Sequence, residues 1–353
     1  MIMRRNLVSI QRVQSIKPIE NADMIEVAQI LGWNIVVKKG EFKVDELVVY
    51  FEIDSYLPVD DTRFEFLAKS SYRKSLEQQR KEGYRIKTLK LRGVVSQGLV
   101  MKVSDFPEIE NRFIIEGEEV TVLDVVKWDP PEISSGNVIG KNGKPFGIPT
   151  TDEIRIQSME DILEKFIGKP YYITLKYDGT SCSIYSYNGH SGVTSRDMDL
   201  TVPESSADDN PYTTMYRSIK EKIERLGRNI VIQGELCGPR IQKNKLGLQQ
   251  YKWCVFDAYD LDTRAYLDYD ELKKLCFDNT LDMVSLLEEG EEYPAEYNLE
   301  YLLKKADCKY PNGNTAEGIV VRLKSMEQLA GEKVVTRASF KVINNKYLLK
   351  DDQ

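Results

Sequence analysis

Short runs in which apolar and polar residues alternate dominate the first 128 residues of the chain. The runs are separated by turn-forming segments, and they read LVSIQRV, MIEVAQIL, NIVVKK, LVVYFEI, KTLKLRG with GLVMKV, and EVTVLDVV. Alternation with a period of two is typical of strands that bury one face, whereas an amphipathic helix repeats every three to four residues. Five or six strands in this segment therefore predict a small barrel of the OB type, a fold that often binds nucleic acid.

A basic segment interrupts these predicted strands. Residues 63–83 are polar and compatible with a helix, so we interpret them as an insertion. From Arg63 to Arg92 the chain carries ten Lys or Arg against three Asp or Glu, although the whole chain has 49 basic and 56 acidic residues. Phosphate backbones bind clustered cations, so this stretch is a candidate surface for a polyanion. The alternative is an ordinary solvated face.

The composition changes at Asp129, where DPPEISSGNVIGKNGKPFGIPTT concentrates Pro, Gly, Ser and Asn. Such a stretch is typical of a linker. It predicts a domain at 1–128, a linker at 129–149 and a second domain at 150–353. In the second domain, strand-like runs alternate with helices predicted at 158–166, 212–226, 270–279 and 299–307, which indicates an α+β domain with mostly antiparallel strands.

Several kinds of functional site are excluded by composition. The five cysteines are scattered without a C-x-x-C pair, and His190 is the single histidine, in a predicted hairpin turn. Any catalysis must therefore depend on Lys, Arg, Asp and Glu. No apolar run reaches the roughly 18 residues of a membrane span, and the N-terminus becomes charged before a signal-peptide core could form. We expect a protein of the cytoplasm or nucleus, with no signal peptide, no membrane association and no evident obligate protein partner.

The sharpest local motif is Lys176-Tyr177-Asp178-Gly179, which follows a strand-like run. Alone it is weak evidence, because a K-x-D-G match is expected in on the order of one in ten random chains of this length. Further motifs follow in order, and each places a polar or aromatic residue at the end or edge of an apolar run. They are Ser195-Arg196, GEL at 234–236, VFDA at 255–258, EGIVVR at 317–322 and SFKV at 339–342.

This ordered series resembles that of the covalent nucleotidyltransferases, the superfamily of ATP-dependent ligases and capping enzymes. The stretches TDEIRIQ, GELCGPRIQKNKLG and SFKVINNKYLLK are similar to RNA ligases, and the preceding OB domain, with YFEIDSYLP and LRGVVSQGL, resembles the family typified by the Naegleria and Deinococcus RNA ligases. The resemblance covers essentially the whole chain. It implies an α+β protein with an N-terminal OB-type β-barrel, followed by a nucleotidyltransferase (ATP-grasp-like ligase) domain of mostly antiparallel sheets with flanking helices.

The resemblance implies that Lys176 is the nucleophile that forms a lysyl-AMP intermediate with ATP. A lysine amine attacks phosphorus only when it is neutral, and its ordinary pKa is about 10.4. A metal on the α-phosphate and a nearby cation, Lys341, are expected to lower that pKa. Lys341 is also expected to neutralise the α-phosphate. Many relatives have a second lysine two residues further on, where this chain has Ile343.

The resemblance also assigns carboxylates to metal binding. Asp178, Glu235 and Glu317 are expected around Mg²⁺ or Mn²⁺ and the ribose, and to hold the metal largely through its waters. The alternative for each is a solvated acid at a strand end. Glu52 and Asp54 of YFEIDSYLP are candidates for a second metal, with the alternative that they only terminate a strand.

Other residues are candidates for contacts with the nucleotide. Phe256 is expected to stack on the adenine, with the alternative that the alternation in WCVFDAY places it in the core. Arg155 and Arg196 offer forked guanidinium groups, the first to ATP and the second to ATP or an RNA 5′-phosphate. Gly179 belongs to the same predicted ATP-binding set.

The function implied is an ATP-dependent RNA ligase for RNA repair. Lys176 would be adenylylated, AMP would pass to an RNA 5′-phosphate, and a 3′-hydroxyl would displace AMP. Two alternatives stay open at this point. One is a DNA ligase or an mRNA-capping guanylyltransferase, and the other is an OB-type nucleic-acid-binding protein without catalytic activity.

Overall fold

The computed structural model describes residues 6–74, 80–110, 114–128, 139–325 and 338–351. Within these ranges the chain forms two compact units. The N-terminal unit contains residues 6–74, 80–110, 114–128, 156–160 and 345–351, and the C-terminal unit contains residues 139–155, 161–325 and 338–344.

Antiparallel strands make up most of the N-terminal unit, as the alternation predicts. In chain order they are β1 (Val8–Pro18), β2 (Ile25–Ile30), β3 (Trp33–Lys38), β4 (Leu47–Phe51), β5 (Ser55–Leu57), β6 (Tyr72–Lys74), β7 (Glu82–Arg85), β8 (Thr88–Leu91), β9 (Val94–Gln97), β10 (Leu99–Lys102) and β11 (Val126–Lys127). They form a five-stranded sheet in the order β10-β4-β1-β2-β3, a four-stranded sheet in the order β11-β5-β7-β6, and the hairpin β8-β9.

The first strand bends, and this bend curls the main sheet. The register of β1 against β2 shifts between Val13 and Ser15, and the N-terminal half of β1 pairs with β4 instead. A bulge of this kind kinks a strand and increases its twist. The curled sheet encloses a core in which the Phe51 ring lies 5.5 Å from the Phe64 ring and 5.9 Å from the Phe106 ring. This half-barrel confirms the predicted OB-type fold.

The basic insertion is helical only in its first part. A 3₁₀ helix covers Thr62–Leu67 and α1 covers Ala68–Ser71, after which the chain continues as strand β6. The predicted insertion also includes residues 75–79, which lie outside the described residues. At least three of the ten cations between Arg63 and Arg92 have carboxylate partners: Arg63 bonds Asp61 and Glu108, Arg80 bonds Asp124, and Arg85 bonds Asp54.

The C-terminal unit is α+β, as predicted. Its strands are β12 (Gly140–Asn142), β13 (Tyr171–Lys176), β14 (Thr180–Tyr187), β15 (His190–Thr194), β16 (Met198–Leu200), β17 (Ile230–Cys237), β18 (Lys252–Asp260), β19 (Ala265–Tyr266), β20 (Leu286–Gly290), β21 (Gly318–Leu323) and β22 (Ser339–Ile343). They form a seven-stranded sheet in the order β12-β16-β15-β14-β17-β18-β19 and a four-stranded sheet in the order β20-β13-β21-β22, with antiparallel pairing of neighbouring strands.

Helices flank these sheets. The short helix α2 (Pro107–Glu110) belongs to the N-terminal unit, whereas α3 (Ile162–Phe166), α4 (Pro211–Glu224), α5 (Tyr269–Asp278) and α6 (Leu299–Lys305) belong to the C-terminal unit. The helices predicted at 212–226, 270–279 and 299–307 are thereby confirmed. At the start of α4, the Asn210 side chain accepts hydrogen bonds from the backbone N–H groups of Tyr212 and Thr213, and Pro211 occupies the first turn.

Two short segments that adjoin the C-terminal unit in sequence group with the N-terminal unit. Residues 156–160, which include a 3₁₀ helix at Ile156–Ser158, group with the N-terminal unit, so the helix predicted at 158–166 is reduced to α3. The final helix, α7 (Asn345–Asp351), also groups with that unit, and Leu348 packs against its core. The continuous boundaries 1–128, 129–149 and 150–353 stay a prediction, and part of the linker, 129–138, lies outside the described residues.

The single histidine lies at a hairpin, as the sequence predicts, and the five cysteines are free thiols. His190 begins β15 in a tight hairpin with β14, where Asn188 and Gly189 have positive φ values of 49° and 77°. The cysteines are thiols rather than disulfides: Cys308 is partly buried, and the others are buried, namely Cys182, Cys237, Cys254 and Cys276. In the described ranges, none of the helices has the length and apolar character that a membrane crossing requires.

Candidate active site

Lys176 lies where the chain passes from one sheet of the C-terminal unit to the other. It is the last residue of β13, and its pairing with Gly318 is the final pair between β13 and β21. Residues 177–179 then form a turn, and the chain continues as β14 in the seven-stranded sheet. Because the strand is buried and ends at Lys176, the side chain is held at a defined position with 22% of its surface exposed.

Three carboxylates surround the Lys176 amine. Its Nζ donates a hydrogen bond of 2.8 Å to Glu317 Oε2, immediately before β21. Glu235 lies opposite Ser181 on β17, and its Oε1 accepts a 3.2 Å hydrogen bond from the Gly179 N–H. Asp178 is buried in the turn, with 7% of its surface exposed. The structure therefore brings together the nucleophile candidate and the three acids that the sequence singles out.

These charges determine the direction of the pKa shifts. Burial by itself would lower the pKa of Lys176, but the charges of Glu317, Glu235 and Asp178 outweigh it and hold that pKa above its ordinary value. Burial raises the pKa of Glu235 to about 7, against the opposing effect of Lys176. With the protein's own groups alone, the shift at Lys176 is thus opposite to the lowering that nucleophilic attack requires.

A second group of cations adjoins this cluster. Lys341 lies on β22, its backbone N–H donates to the Ile154 carbonyl at 2.8 Å, and it forms an isolated bridge with Arg155. Burial and the charges of Lys176 and Arg155 lower the pKa of Lys341 to about 7. Cations that repel one another at close range attract an anion, so this corner suits a phosphate group.

The remaining nucleotide candidates have protein partners. Arg196 Nη2 lies 3.0 Å from Asp152, whose side chain is 55% exposed. Phe256, on β18, is partly buried against the core, and the guanidinium of Arg322 lies 5.7 Å from its ring centroid. Both alternatives for Phe256 therefore remain compatible with its position.

Gly179 is required because the turn at residues 177–179 approaches β17 closely. A Cβ atom at this position would lie 2.5 Å from the Leu236 carbonyl oxygen and 2.7 Å from Cys237 Sγ. These distances are shorter than van der Waals contact, so only glycine fits between the turn and β17. The close approach also brings the Gly179 N–H to Glu235.

The candidates for a second metal belong to the N-terminal unit. Glu52 is buried and accepts a 2.6 Å hydrogen bond from Ser158 Oγ. Asp54 forms a 2.8 Å ion pair with Arg85. Both acids have structural partners in their own unit, and the role of Glu52 and Asp54 in binding a second metal stays a prediction.

Sequence reasoning missed two residues at the site. Lys245 Nζ lies 3.9 Å from Asp178 Oδ2, and the side-chain amides of Asn312 and Asn314 donate to the Lys245 carbonyl at 2.9 and 2.7 Å. Tyr310 bonds the backbone around Lys176. Lys245 follows Glu235 in the stretch GELCGPRIQKNKLG, which could have drawn attention to it, whereas Tyr310 lies in a segment without any recognised motif.

The acidic side chains of the site supply oxygen donors of the kind that a hydrated divalent cation prefers. Across the described ranges, the structure has no group of three His, Cys, Asp or Glu residues arranged to hold a metal ion. The carboxylate oxygens of Asp178, Glu235 and Glu317 are nevertheless the ligand type that hard ions prefer, and Mg²⁺ usually retains several waters. A hydrated ion held by these acids is compatible with the observed geometry.

Comparison with protein-family models gives two matches. Residues 7–103 match an OB-fold domain, and residues 169–343 match the RNA ligase family. A comparison with curated protein sequences gave no match.

Solved structures match the chain over its whole length. Naegleria gruberi RNA ligase with pyrophosphate is 33% identical, with a TM-score of 0.84, and the match covers 99% of this chain and 100% of that one. A lysine-to-alanine variant of that enzyme with ATP and Mn is 32% identical, with a TM-score of 0.85 and coverage of 98% and 100%. A glutamate-to-alanine variant with AMP and Mn is 33% identical, with a TM-score of 0.85 and coverage of 99% and 100%.

Proposed function

Because this chain belongs to the RNA ligase family, we propose that Lys176 is the nucleophile with which it activates RNA ends for joining at the expense of ATP. In the first step a bond forms between Lys176 Nζ and the α-phosphorus of ATP, and the bond to pyrophosphate breaks. AMP then passes to an RNA 5′-phosphate, which restores the lysine amine. An RNA 3′-hydroxyl finally displaces AMP as the new phosphodiester forms.

The observation that carries this proposal is the setting of Lys176. Its amine is held at 2.8 Å from Glu317 at the end of a buried strand, with two further carboxylates and Lys341 close by. A fixed amine of this kind loses little orientational freedom when it attacks, which is the main contribution of positioning to catalysis. The Glu317 carboxylate is the nearest acceptor for the ammonium proton that must leave before attack.

The cations near Lys176 are suited to the nucleotide phosphates. Lys341 and Arg155 lie together on neighbouring backbone segments, and we assign both to the α-phosphate, where negative charge accumulates during attack. Charge on the phosphate would also favour the protonated form of Lys341, whose pKa is depressed to about 7. Arg196 is assigned to the ATP or to the RNA 5′-phosphate. To bind either, it would give up its hydrogen bond to Asp152.

The acidic residues are assigned to a hydrated divalent metal. Asp178, Glu235 and Glu317 would hold Mg²⁺ or Mn²⁺ through its waters, in line with the donor set at the site. When bound, the metal supplies positive charge that stabilises the phosphates during transfer. The Lys245 ammonium lies 3.9 Å from Asp178 Oδ2. Its positive charge offsets part of the electrostatic repulsion between Asp178 and the neighbouring carboxylates. Phe256 and Gly179 are assigned to the adenine and to the turn beneath the nucleotide.

A labelling experiment tests the nucleophile. The protein is incubated with ATP labelled at the α-phosphate and with MnCl₂ or MgCl₂, and label that survives denaturing electrophoresis is measured. We expect a labelled wild-type chain that loses its label when pyrophosphate is added, and no label on Lys176→Ala. Lys274→Ala is the matched control, because Lys274 is exposed on α5 and pairs with Asp278 at 2.6 Å. Absence of label on the wild type, or undiminished label on Lys176→Ala, would refute the assignment.

A second experiment tests the end chemistry. Labelled RNA with a 5′-phosphate is offered with a 3′-hydroxyl acceptor, as a nicked duplex and as single strands, beside matched DNA ends. We expect joining of the RNA ends and no joining when the donor carries a 5′-hydroxyl or the acceptor a 3′-phosphate. Joining of such blocked ends would contradict the proposed order of steps.

A further inference from the structure

A tyrosine hydroxyl links three backbone groups of the candidate site. Tyr310 lies in the segment 308–317 that precedes β21, and its side chain is buried with 2% exposure. The segment folds back on itself through a bridge between Lys309 and Thr315, and the backbone of Tyr310 bonds that of Asn314 and Gly313 at 2.8 and 2.9 Å. The position of the phenol is therefore set by a compact loop rather than by a long flexible one.

The hydroxyl uses all of its hydrogen-bonding capacity on the residues around Lys176. It donates to the Lys176 carbonyl at 2.9 Å, and it accepts from the Asp178 N–H at 2.9 Å and from the Glu317 N–H at 3.2 Å. A phenol hydroxyl has one donor and two acceptor sites. One oxygen atom thus ties together the nucleophile, the acid two residues later and the acid that holds the lysine amine.

These backbone groups need such a partner because the two strands separate here. The ladder between β13 and β21 ends with the pair Lys176 and Gly318, after which the chain from β13 leaves for the other sheet. Buried backbone groups beyond a ladder must find other hydrogen-bond partners. The Tyr310 hydroxyl supplies such a partner at the diverging strand ends, and it joins the backbones of Lys176 and Glu317 through one atom.

We propose that Tyr310 is a positioning residue for lysine adenylylation. It touches no reacting atom. It acts by holding the backbones of Lys176 and Glu317 at a separation that allows their side chains to form the 2.8 Å contact. The inference rests on the proposed role of Lys176 as nucleophile. It extends the site by a residue 134 positions away in the sequence.

The test removes one oxygen atom and separates positioning from folding. Tyr310→Phe keeps the buried ring and deletes the hydroxyl. Tyr293→Phe is the matched control, because Tyr293 is also 2% exposed, lies in the same unit and donates to the backbone carbonyl of Tyr297 at 3.0 Å. Lysyl-AMP formation is followed in single turnovers at pH 7.5 over a range of ATP concentrations, and folding is checked by circular dichroism.

We expect Tyr310→Phe to lower the maximal rate of lysyl-AMP formation by about 10- to 100-fold, because small misplacements of a nucleophile cost rates of this size. The ATP concentration at half-maximal rate should stay within about threefold of wild type, and Tyr293→Phe should match wild type within about threefold in both quantities. If Tyr310→Phe does not fold, p-aminophenylalanine is installed at position 310. Its amino group donates hydrogen bonds as the hydroxyl does, but it accepts them only weakly. That variant is expected to give a rate about 3- to 10-fold below wild type.

Each other outcome overturns the proposal in an identifiable way. A wild-type rate in Tyr310→Phe, or in the p-aminophenylalanine protein if that is the one that folds, would show that the hydroxyl does not position the nucleophile. An unchanged maximal rate with a raised half-saturating ATP concentration would assign it to nucleotide binding. Equal losses in Tyr310→Phe and Tyr293→Phe would indicate general destabilisation. If the wild type forms no lysyl-AMP, the proposed function itself fails, which is distinct from all of these.

Discussion

Replacing Lys341 by methionine should stabilise the protein in the absence of nucleotide and metal while abolishing lysyl-AMP formation. Lys341 is partly buried on β22, and it lies near Lys176 and beside Arg155. Burial and these two cations lower its pKa from 10.5 to about 7, so the folded protein bears an unfavourable charge there at neutral and lower pH. Methionine has a similar unbranched shape and carries no charge.

The size and pH dependence of this stabilisation follow from proton linkage. Below pH 7 Lys341 is protonated in both folded and unfolded chains, and the folded state bears the full cost. Between about pH 7 and 10.5 the unfolded chain binds the additional proton, so the stability of the wild type rises with pH and its deficit against Lys341→Met closes. At 1.36 kcal/mol per pH unit, the upper bound is on the order of 5 kcal/mol. Solvent screening of a partly buried side chain reduces the expected difference to about 2 kcal/mol.

Urea denaturation followed by circular dichroism measures this difference. Wild type and Lys341→Met are compared at pH 6 and pH 9 without nucleotide or divalent metal. Lys274→Met is the control, because Lys274 is an exposed residue of α5 and its removal should give no gain that depends on pH. The same preparations are then tested for label from α-labelled ATP.

Two results would refute this reasoning. Equal or lower stability of Lys341→Met at pH 6 would mean that Lys176 and Arg155 do not repel Lys341 appreciably. A stability difference that is the same at pH 6 and pH 9 would mean that the gain comes from packing rather than charge. Retention of wild-type labelling would, separately, remove Lys341 from the proposed set of phosphate-binding residues.

Three further predictions concern other parts of the molecule. Gly179→Ala should destabilise the C-terminal unit by about 1–3 kcal/mol, since its Cβ would lie 2.5 Å from the Leu236 carbonyl; thermal unfolding measures this, and an unchanged melting temperature would contradict it. Glu235→Gln should gain stability relative to wild type as the pH rises from 4.5 to about 7. Over that range the folded wild type binds more protons than the unfolded chain, so the stability of the wild type falls with rising pH. Equal stability differences in urea titrations at pH 5 and pH 8 would argue against this prediction. Serine substitutions in the basic stretch, at Arg73, Lys74 and Lys81, should weaken RNA binding. They should also reduce the slope of log K against log salt by about 0.7 for each RNA phosphate that is no longer neutralised. Arg80→Ser is the control and should change this slope little, because Arg80 already pairs with Asp124.

Much of the fold could be predicted because its determinants are local in sequence. Alternation identified six strands of the N-terminal unit, namely β1 to β4, β8 and β10. It did not identify β6 or the start of β7, which lie in the segment that we interpret as a helix-compatible insertion. Apolar runs identified β13, β17, β18 and β21. Polar residues at the ends of those runs then indicated the candidate site, because neighbouring antiparallel strands bring their ends together. Lys176 and Glu317, which lie 141 positions apart, meet for this reason.

Residues whose partners depend on loops could not be predicted in the same way. Tyr310 and Lys245 lie in turn-rich segments without a period, and their partners at the site are 132 and 67 positions away. Nothing in the local pattern distinguishes a tyrosine that bonds three backbone groups from one that only fills the core. The sequence likewise showed the charge of the basic stretch, but the carboxylate partners of Arg63, Arg80 and Arg85 come from the tertiary arrangement.

The amino-acid sequence by itself determined the fold class, the family and the set of side chains available for chemistry, because a single histidine and scattered cysteines leave lysine and carboxylates. Tertiary structure decided the charge state of those side chains. The pKa of Lys176 lies above its ordinary value and that of Lys341 below it, although both are lysines on strands of the same sheet. The difference arises because electrostatic interactions depend on distance and burial. Three acids surround Lys176, whereas burial and two cations dominate the surroundings of Lys341.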